Sequence, residues 1–224
     1  MRVTTSKLFR WAGVALIVAG AIFAGIQPIH PPDVLESVST GAWSAITTLK
    51  LAMCLLFLLG IVGLYARQAE ESGWLGFAGF LLLCLSWGLQ SGFVFTEVFV
   101  LPVLSAEAPT FVNSFLGIIN GSPGEMEIGA LPIVYNFLVG LPYMLGGVLL
   151  GFATFRAAVL PRWAGALLAV AALLTPAAAL FPLAIQRFAA IPVAVAFIWL
   201  GYALVAQIVG KRARASLSPA GAQA

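Results

Sequence analysis

Residues 45–101 decide the fold. They read AITTLKLAMCLLFLLGIVGLYA (45–66), then RQAEESG (67–73), then WLGFAGFLLLCLSWGLQSGFVFTEVFVL (74–101). Each long run is mostly apolar and reaches the ~20 residues that a helix needs to cross the hydrocarbon of a bilayer. The second run is the longer, which predicts a tilted span. The short charged stretch between them predicts a turn that stays in water.

The same pattern extends outward. Segments 8–27, 130–155, 163–185 and 188–210 are also apolar and long enough to span. Of the 224 residues, 62% are apolar or aromatic and 8% are charged. A soluble domain averages about 45–50% and about 25%. The sequence therefore predicts an all-α, polytopic transmembrane helical bundle of six spans. These form one domain, 1–210, followed by a basic tail, 211–224, expected to be disordered. Only Gln186 and Arg187 separate the last two spans, which predicts a tight hairpin. The first span has a basic start and a cleavage-like Ala19-Gly20-Ala21, but its apolar run continues past that point, as a retained span would.

Charge placement predicts the topology. With the N-terminus inside, the cytoplasmic segments hold Arg2, Lys7, Arg10, Arg67, Arg156, Arg162, Lys211, Arg212 and Arg214, nine of the 11 basic residues. Arg187 alone falls in an outer loop, and Lys50 falls within the second span. Asp33, Glu36, Glu107, Glu125 and Glu127 fall in the outer loops. This agrees with the positive-inside rule and places both termini in the cytoplasm. The formal charge of +3 is a topology signal, and the tail near Arg212 is suited to anionic lipid. The expected partner is the lipid bilayer; nucleic acid has no support. Trp11, Trp74 and Trp163 fall at the inner interface and Trp43 at the outer one, where aromatic belts form. Trp87 and Trp199 fall mid-span, as packing or pocket walls.

The inventory excludes several chemistries. There is one histidine, His30, and one aspartate, Asp33. A bis-histidine haem site, a paired-aspartate protease and a histidine-box di-iron centre therefore cannot be built from one chain. No HExxH helix and no Walker A sequence is present. Cys54 and Cys84 lie in apolar runs and read as small core residues, without a disulfide framework. No cofactor and no metal site is expected.

Outside the spans, Pro28, Pro31 and Pro32 block helix continuation. Asp33 is then expected to cap a short interfacial helix carrying Val34, Leu35, Val38 and Trp43. The apolar stretch 111–119 is too short to span and is expected on the outer surface, followed by a turn at 120–124. Arg10-Trp11-Ala12-Gly13 recurs as Arg162-Trp163-Ala164-Gly165 and, more loosely, as Gly73-Trp74-Leu75-Gly76. The recurrence predicts three parallel helical-hairpin pseudo-repeats. Gly88-xxx-Gly92, Gly147-xxx-Gly151 and Ala21-xxx-Gly25 are candidate close-packing motifs. Pro142, Pro176, Pro182 and Pro192 are candidate bends.

Ionisable groups inside a membrane cost about 2.5–3.5 kcal/mol each at mid-helix on insertion scales and mark functional candidates. Here they are Lys50 and Glu97. On the third span Ser86, Gln90 and Glu97 are four and seven apart and share a face. On the fourth span Asn136 and Tyr143 do the same. With Trp87 and Phe93 as walls, and Thr175 and Tyr202 as additions from the last hairpin, they form a candidate ligand-binding cluster open to the outside. Lys50 and Glu97 are expected to pair. The competing structural interpretation is that Lys50 snorkels and that Gln90 and Asn136 only bridge helices. Lys50 is the only lysine within a span and lies near its boundary, which argues against a retinal Schiff base.

Two stretches carry a resemblance. One is Gly63-Leu64-Tyr65-Ala66-Arg67-Gln68-Ala69-Glu70 leading to Gly76-Phe77-Ala78-Gly79-Phe80. The other is Phe155-Arg156-Ala157-Ala158-Val159-Leu160-Pro161-Arg162-Trp163-Ala164-Gly165. They resemble multi-pass membrane proteins of actinobacteria and related bacteria that are filed as domains of unknown function. The resemblance implies a bacterial inner-membrane bundle and carries over no catalytic or binding residue.

Three functions compete. The first is binding or transport of a small lipophilic or amphipathic molecule through an outward-facing polar pocket. Six spans are few for a monomeric transporter, so a homodimer is then expected. The second is an accessory or structural role without a ligand. The third is a membrane enzyme using Glu97 as acid or base, assisted by Lys50 or Tyr143.

Overall fold

Backbone amides within hydrocarbon must find partners inside the protein, and helices supply them. The computed structural model describes residues 4–122 and 124–217 and is helical, with no strand among the described residues. Its helices are α1 (Thr5–Gly25), α2 (Leu35–Val38), α3 (Gly41–Phe99), α4 (Leu101–Glu107) and α5 (Pro109–Asn120). There follow α6 (Leu131–Ala157), α7 (Arg162–Leu174) and α8 (Ala190–Leu217). Four helical stretches among the described residues are long and apolar enough to cross a membrane: Thr5–Gly25, Gly41–Phe99, Leu131–Ala157 and Arg187–Gln207. This fits a membrane protein.

The 59 residues of α3 would extend about 88 Å as one straight rod. Yet Lys50 reaches Glu97, and the Tyr65 ring stacks on Phe80 at 4.6 Å. The chain therefore doubles back. The reversal lies at Gln68 (φ −130°, ψ 19°) and Gly73 (φ 57°, ψ −156°). Gly73 occupies a backbone region that is essentially reserved for glycine. Residues 41–67 form the first arm of this hairpin and 74–99 the second.

The bundle closes as a ring in chain order: α1, first arm, second arm, α6, α7, α8, and back to α1. Small residues let the backbones approach, which is how helices associate where hydrocarbon offers no hydrophobic drive. A Cβ on Gly13 would lie 2.7 Å from the Gly201 carbonyl, and one on Gly79 2.4 Å from the Leu150 amide. Gly147 and Gly151 face Ala172 and Ala169 on α7, so this expected motif packs. Gly25, Gly88 and Gly92 have nothing within 4 Å, so the other two expected motifs make no helix contact. Leu16, Phe57, Trp87, Leu168, Phe197 and Leu200 fill the ring. Trp199, expected to pack inside, is instead exposed on the outer face, as is Tyr202.

The fifth expected segment, 163–185, is α-helical only to Leu174. Pro176 lacks an N–H and crowds the carbonyl four residues back, so the helix tightens to a 3-10 form over Thr175–Leu180. A single turn at Leu183–Gln186 and another at Arg187–Ala189 lead into α8. The expected tight hairpin is thus an irregular connection. Pro192 falls in the first turn of α8, where no intrahelical partner is required. The helix itself continues to Leu217, through the start of the basic segment; residues 218–224 lie outside the described residues.

Helices α2, α4 and α5 pack over the end of the bundle opposite the Gly73 reversal. Their core contains Val38, Trp43, Phe93, Leu101, Val112, Phe115 and Leu116. Helix α5 is short, as expected, but buries Val112, Phe115 and Leu116 rather than lying on the surface. Gly121 ends it at φ 68°, and the Ser122 amide donates to the Gly117 carbonyl. The expected turn at 120–124 thus begins here, with residue 123 outside the described residues. Trp43, expected in an interfacial belt, is fully buried because its indole N–H donates to the Glu97 carbonyl at 3.0 Å. Trp11, Trp74 and Trp163 are all exposed at the other end.

Candidate functional site

A cavity of about 300 Å³ lies at the end covered by α2, α4 and α5. The end of α1 contributes Phe23, Ile26 and Gln27. The loop after it contributes His30 and Asp33. Lys50 and Met53 come from the first arm of α3, and Ser86, Trp87, Gln90 and Val94 from the second. Helix α6 adds Tyr135, Val139, Gly140 and Tyr143, and Arg187 reaches in from the connection before α8.

The two arms meet in an ion pair. Lys50 Nζ donates to Glu97 Oε2 at 2.5 Å. The Lys50 side chain is 13% exposed and the Glu97 side chain 0%. Lys50 lines the cavity; Glu97 sits behind it and does not. Glu97 Oε1 has no hydrogen-bond partner among the described residues. The hairpin register sets this meeting, because the two residues lie nearly equidistant from Gly73.

A second pair closes the rim. Arg187 donates to Asp33 Oδ2 at 2.6 Å and to the His30 carbonyl at 3.1 Å. Asn120 at the end of α5 donates to the Asp33 carbonyl at 2.9 Å. Asp33 therefore does not cap α2 as expected. Val34 occupies the cap position without a side-chain bond, and the Asp33 carboxylate is taken by Arg187. His30 Nδ1 donates to the Pro31 carbonyl at 2.7 Å, which leaves Nε2 as an acceptor. Burial, and then the Lys50 charge, push the His30 imidazole down to about 4, so the ring is neutral at pH 7.

The sequence-predicted residues divide. Lys50, Ser86, Trp87, Gln90 and Tyr143 line the cavity, with Glu97 one layer behind. Ser86 Oγ donates to the Val139 carbonyl at 2.8 Å and ties α3 to α6. Asn136 is outside: it is exposed, donates to the Pro132 carbonyl and lines a separate groove beside α5. The reason is local. Val134–Gly140 is a π-helix, leading into Pro142 at the start of the regular helix. Its i→i+5 turns are wider, so a seven-residue spacing no longer returns to one face. Tyr135, Val139 and Tyr143 face the cavity instead. Phe93 packs on Phe115 and Tyr135 in the covering layer, and Thr175 donates to Ala171 within its own helix.

Sequence reasoning did not place Gln27, His30, Asp33, Tyr135 or Arg187 at the site. Arg187 carried a usable signal: it is the one basic residue that departs from the charge asymmetry, in a loop otherwise on the acidic side. Among the described residues no group of three or more histidine, cysteine, aspartate or glutamate side chains could hold a metal ion.

No family model matches the chain, and neither the curated proteins nor the solved structures hold a match for it.

Proposed function

We propose that this is a six-span bacterial inner-membrane protein that binds or transports a small lipophilic or amphipathic molecule through its cavity. Several observations support six crossings. The chain reverses inside α3, and the helices run up and down in ring order. Three helical hairpins follow, and their starts are alike: Trp11, Trp74 and Trp163 are exposed, while Gly13, Gly76 and Gly165, two residues on, each meet a packed neighbour. The exposed tryptophans share one end with Arg67, Arg156 and Arg162. By the positive-inside rule that end is cytoplasmic, as are both termini, and the cavity faces outward.

The observation that carries the functional reading is the cavity itself. In a chain with 8% charged residues, Lys50, Glu97, Asp33, Arg187 and His30 gather around one space that is also walled by Trp87, Phe23 and Met53. Pockets for small molecules combine apolar walls with few, placed polar groups. Glu97, behind Lys50, suits a counter-ion better than an acid or base acting on a bound molecule. Two copies acting as a dimer would suit transport, since six spans are few for one transporter.

Native mass spectrometry of the protein released from mild neutral detergent tests this. The expected result is a discrete retained small molecule that is lost in Gln90→Phe, which fills the cavity without removing a hydrogen bond. Wild type and variant carrying the same heterogeneous lipid would favour an accessory role instead.

A further inference from the structure

We infer that the cavity selects an acidic amphiphile, holding its carboxylate or phosphate headgroup between Lys50 and Arg187; this rests on the ligand-binding reading above. In both ion pairs the cation is the accessible partner: Lys50 is 13% exposed against 0% for Glu97, and Arg187 23% against 4% for Asp33. The pairs are neutral in sum and Asp33 lines the cavity too, but in each pair the cation is the partner a ligand reaches more readily. At close range and reduced dielectric a second cation beside Lys50 and Arg187 is disfavoured and an anion favoured.

The uncharged lining points the same way. Tyr135, Tyr143 and Gln90 line the cavity and have no side-chain hydrogen bond among the described residues. Trp87 Nε1 is also without a partner. Phenol, indole and amide groups can each donate a hydrogen bond to a bound anion. Of the carboxylate acceptors, Asp33 Oδ2 is held by Arg187 and Glu97 lies behind Lys50; Asp33 Oδ1, unpartnered among the described residues, and His30 Nε2 remain. Charge-assisted bonds to an anion are the strong ones available to such a donor set.

The apolar share of the wall distinguishes an amphiphile from a free inorganic anion. Phe23, Ile26, Met53, Val94 and Ile119 supply a surface that a short acyl or alkyl chain covers and that phosphate alone leaves bare. At about 300 Å³ the cavity is at the lower end of ligand pockets, which run to about 1,000 Å³. That suits one headgroup with part of one chain, not a two-chain lipid.

The experiment is native mass spectrometry of the full chain in neutral detergent with matched probes: decanoate, decyl phosphate, decyltrimethylammonium and decanol. Inorganic phosphate is added as competitor. Because Lys50→Met alone strands Glu97, charge is removed in pairs, as Lys50→Met/Glu97→Leu and as Arg187→Gln/Asp33→Asn. Each variant is checked by size exclusion and melting. The expected result is one-to-one retention of decanoate and decyl phosphate at least about tenfold above the cation and the alcohol. Each paired variant that remains folded loses that preference while still taking decanol. Equal or better retention of decyltrimethylammonium or decanol by wild type overturns the anion assignment and leaves the pocket reading standing. Displacement of decyl phosphate by equimolar inorganic phosphate overturns the amphiphile. Retention of no probe above the Gln90→Phe background overturns both.

Discussion

The Lys50–Glu97 pair gives the sharpest test of how this bundle is held together. Removing Lys50 as Lys50→Met leaves a fully buried carboxylate, already lacking a partner for Oε1, without its cation. Breaking a buried pair in this way costs about 3–5 kcal/mol. Replacing both members by apolar residues of similar size, Lys50→Met/Glu97→Leu, is about neutral, because the desolvation cost of both charges disappears with their attraction. Glu97→Gln falls between: the stranded lysine is partly exposed to the cavity and keeps some hydration. The expected order of stability is therefore double variant about equal to wild type, then Glu97→Gln, then Lys50→Met. At about 2–4 °C per kcal/mol for a chain of this size, Lys50→Met melts about 6–20 °C lower. Melting in neutral detergent micelles followed by near-ultraviolet circular dichroism measures it. With Glu97→Leu as the second single variant the cycle closes, and the two single costs must fail to add by about 3 kcal/mol or more. A Lys50→Met melting point within about 2 °C of wild type, or a double variant that loses the sum of both singles, would refute the buried pairing and with it the hairpin register that creates it.

Further outcomes follow from particular positions. A Cβ at Gly79 meets the backbone of Leu150, whereas one at Gly88 meets nothing within 4 Å. Gly79→Ala should thus cost about 1–3 kcal/mol by overpacking, while Gly88→Ala should gain about 0.5–1 kcal/mol of helix stability; paired melts decide it. Gly73→Ala, at φ 57° and ψ −156°, should cost about 1–3 kcal/mol, visible as a lower melting point, and a wild-type melt would place the reversal elsewhere. His30 titrates near 6.5 when unfolded and near 4 in the fold. Between those values the unfolded chain binds the extra proton, so stability falls as pH drops from 6.5 to about 4 and levels below. The difference between wild type and His30→Gln isolates this slope; parallel pH profiles would show that His30 is not buried as described.

The helices and most of their ends were legible in the sequence because their signals are local. Apolar length marks the spans, and the polar stretch 67–73 marks the turn that breaks α3. Ser86 and Gln90 line the cavity and Glu97 lies one layer behind it, on an arm that is regular α-helix there. Asn136 was misplaced because a π-helical turn over Val134–Gly140 alters the residues per turn, and nothing in a spacing rule anticipates it. The fifth segment was drawn too long because apolar alanines and leucines continue past Pro176, whose missing N–H ends the α-helix.

By itself the sequence determined an all-helical chain suited to hydrocarbon, since apolar length and scarce charge leave its backbone no other way to satisfy its amides. It also named Lys50 and Glu97 as the costly groups. Only the tertiary structure decided what surrounds them. Asp33 and Arg187 are 154 residues apart and meet because α1 and α8 are neighbours in the closed ring. In each of the two ion pairs the cation is the less buried partner, which depends on how the helices pack around it. Such facts depend on which helix faces meet, and a local pattern of residues carries no record of that.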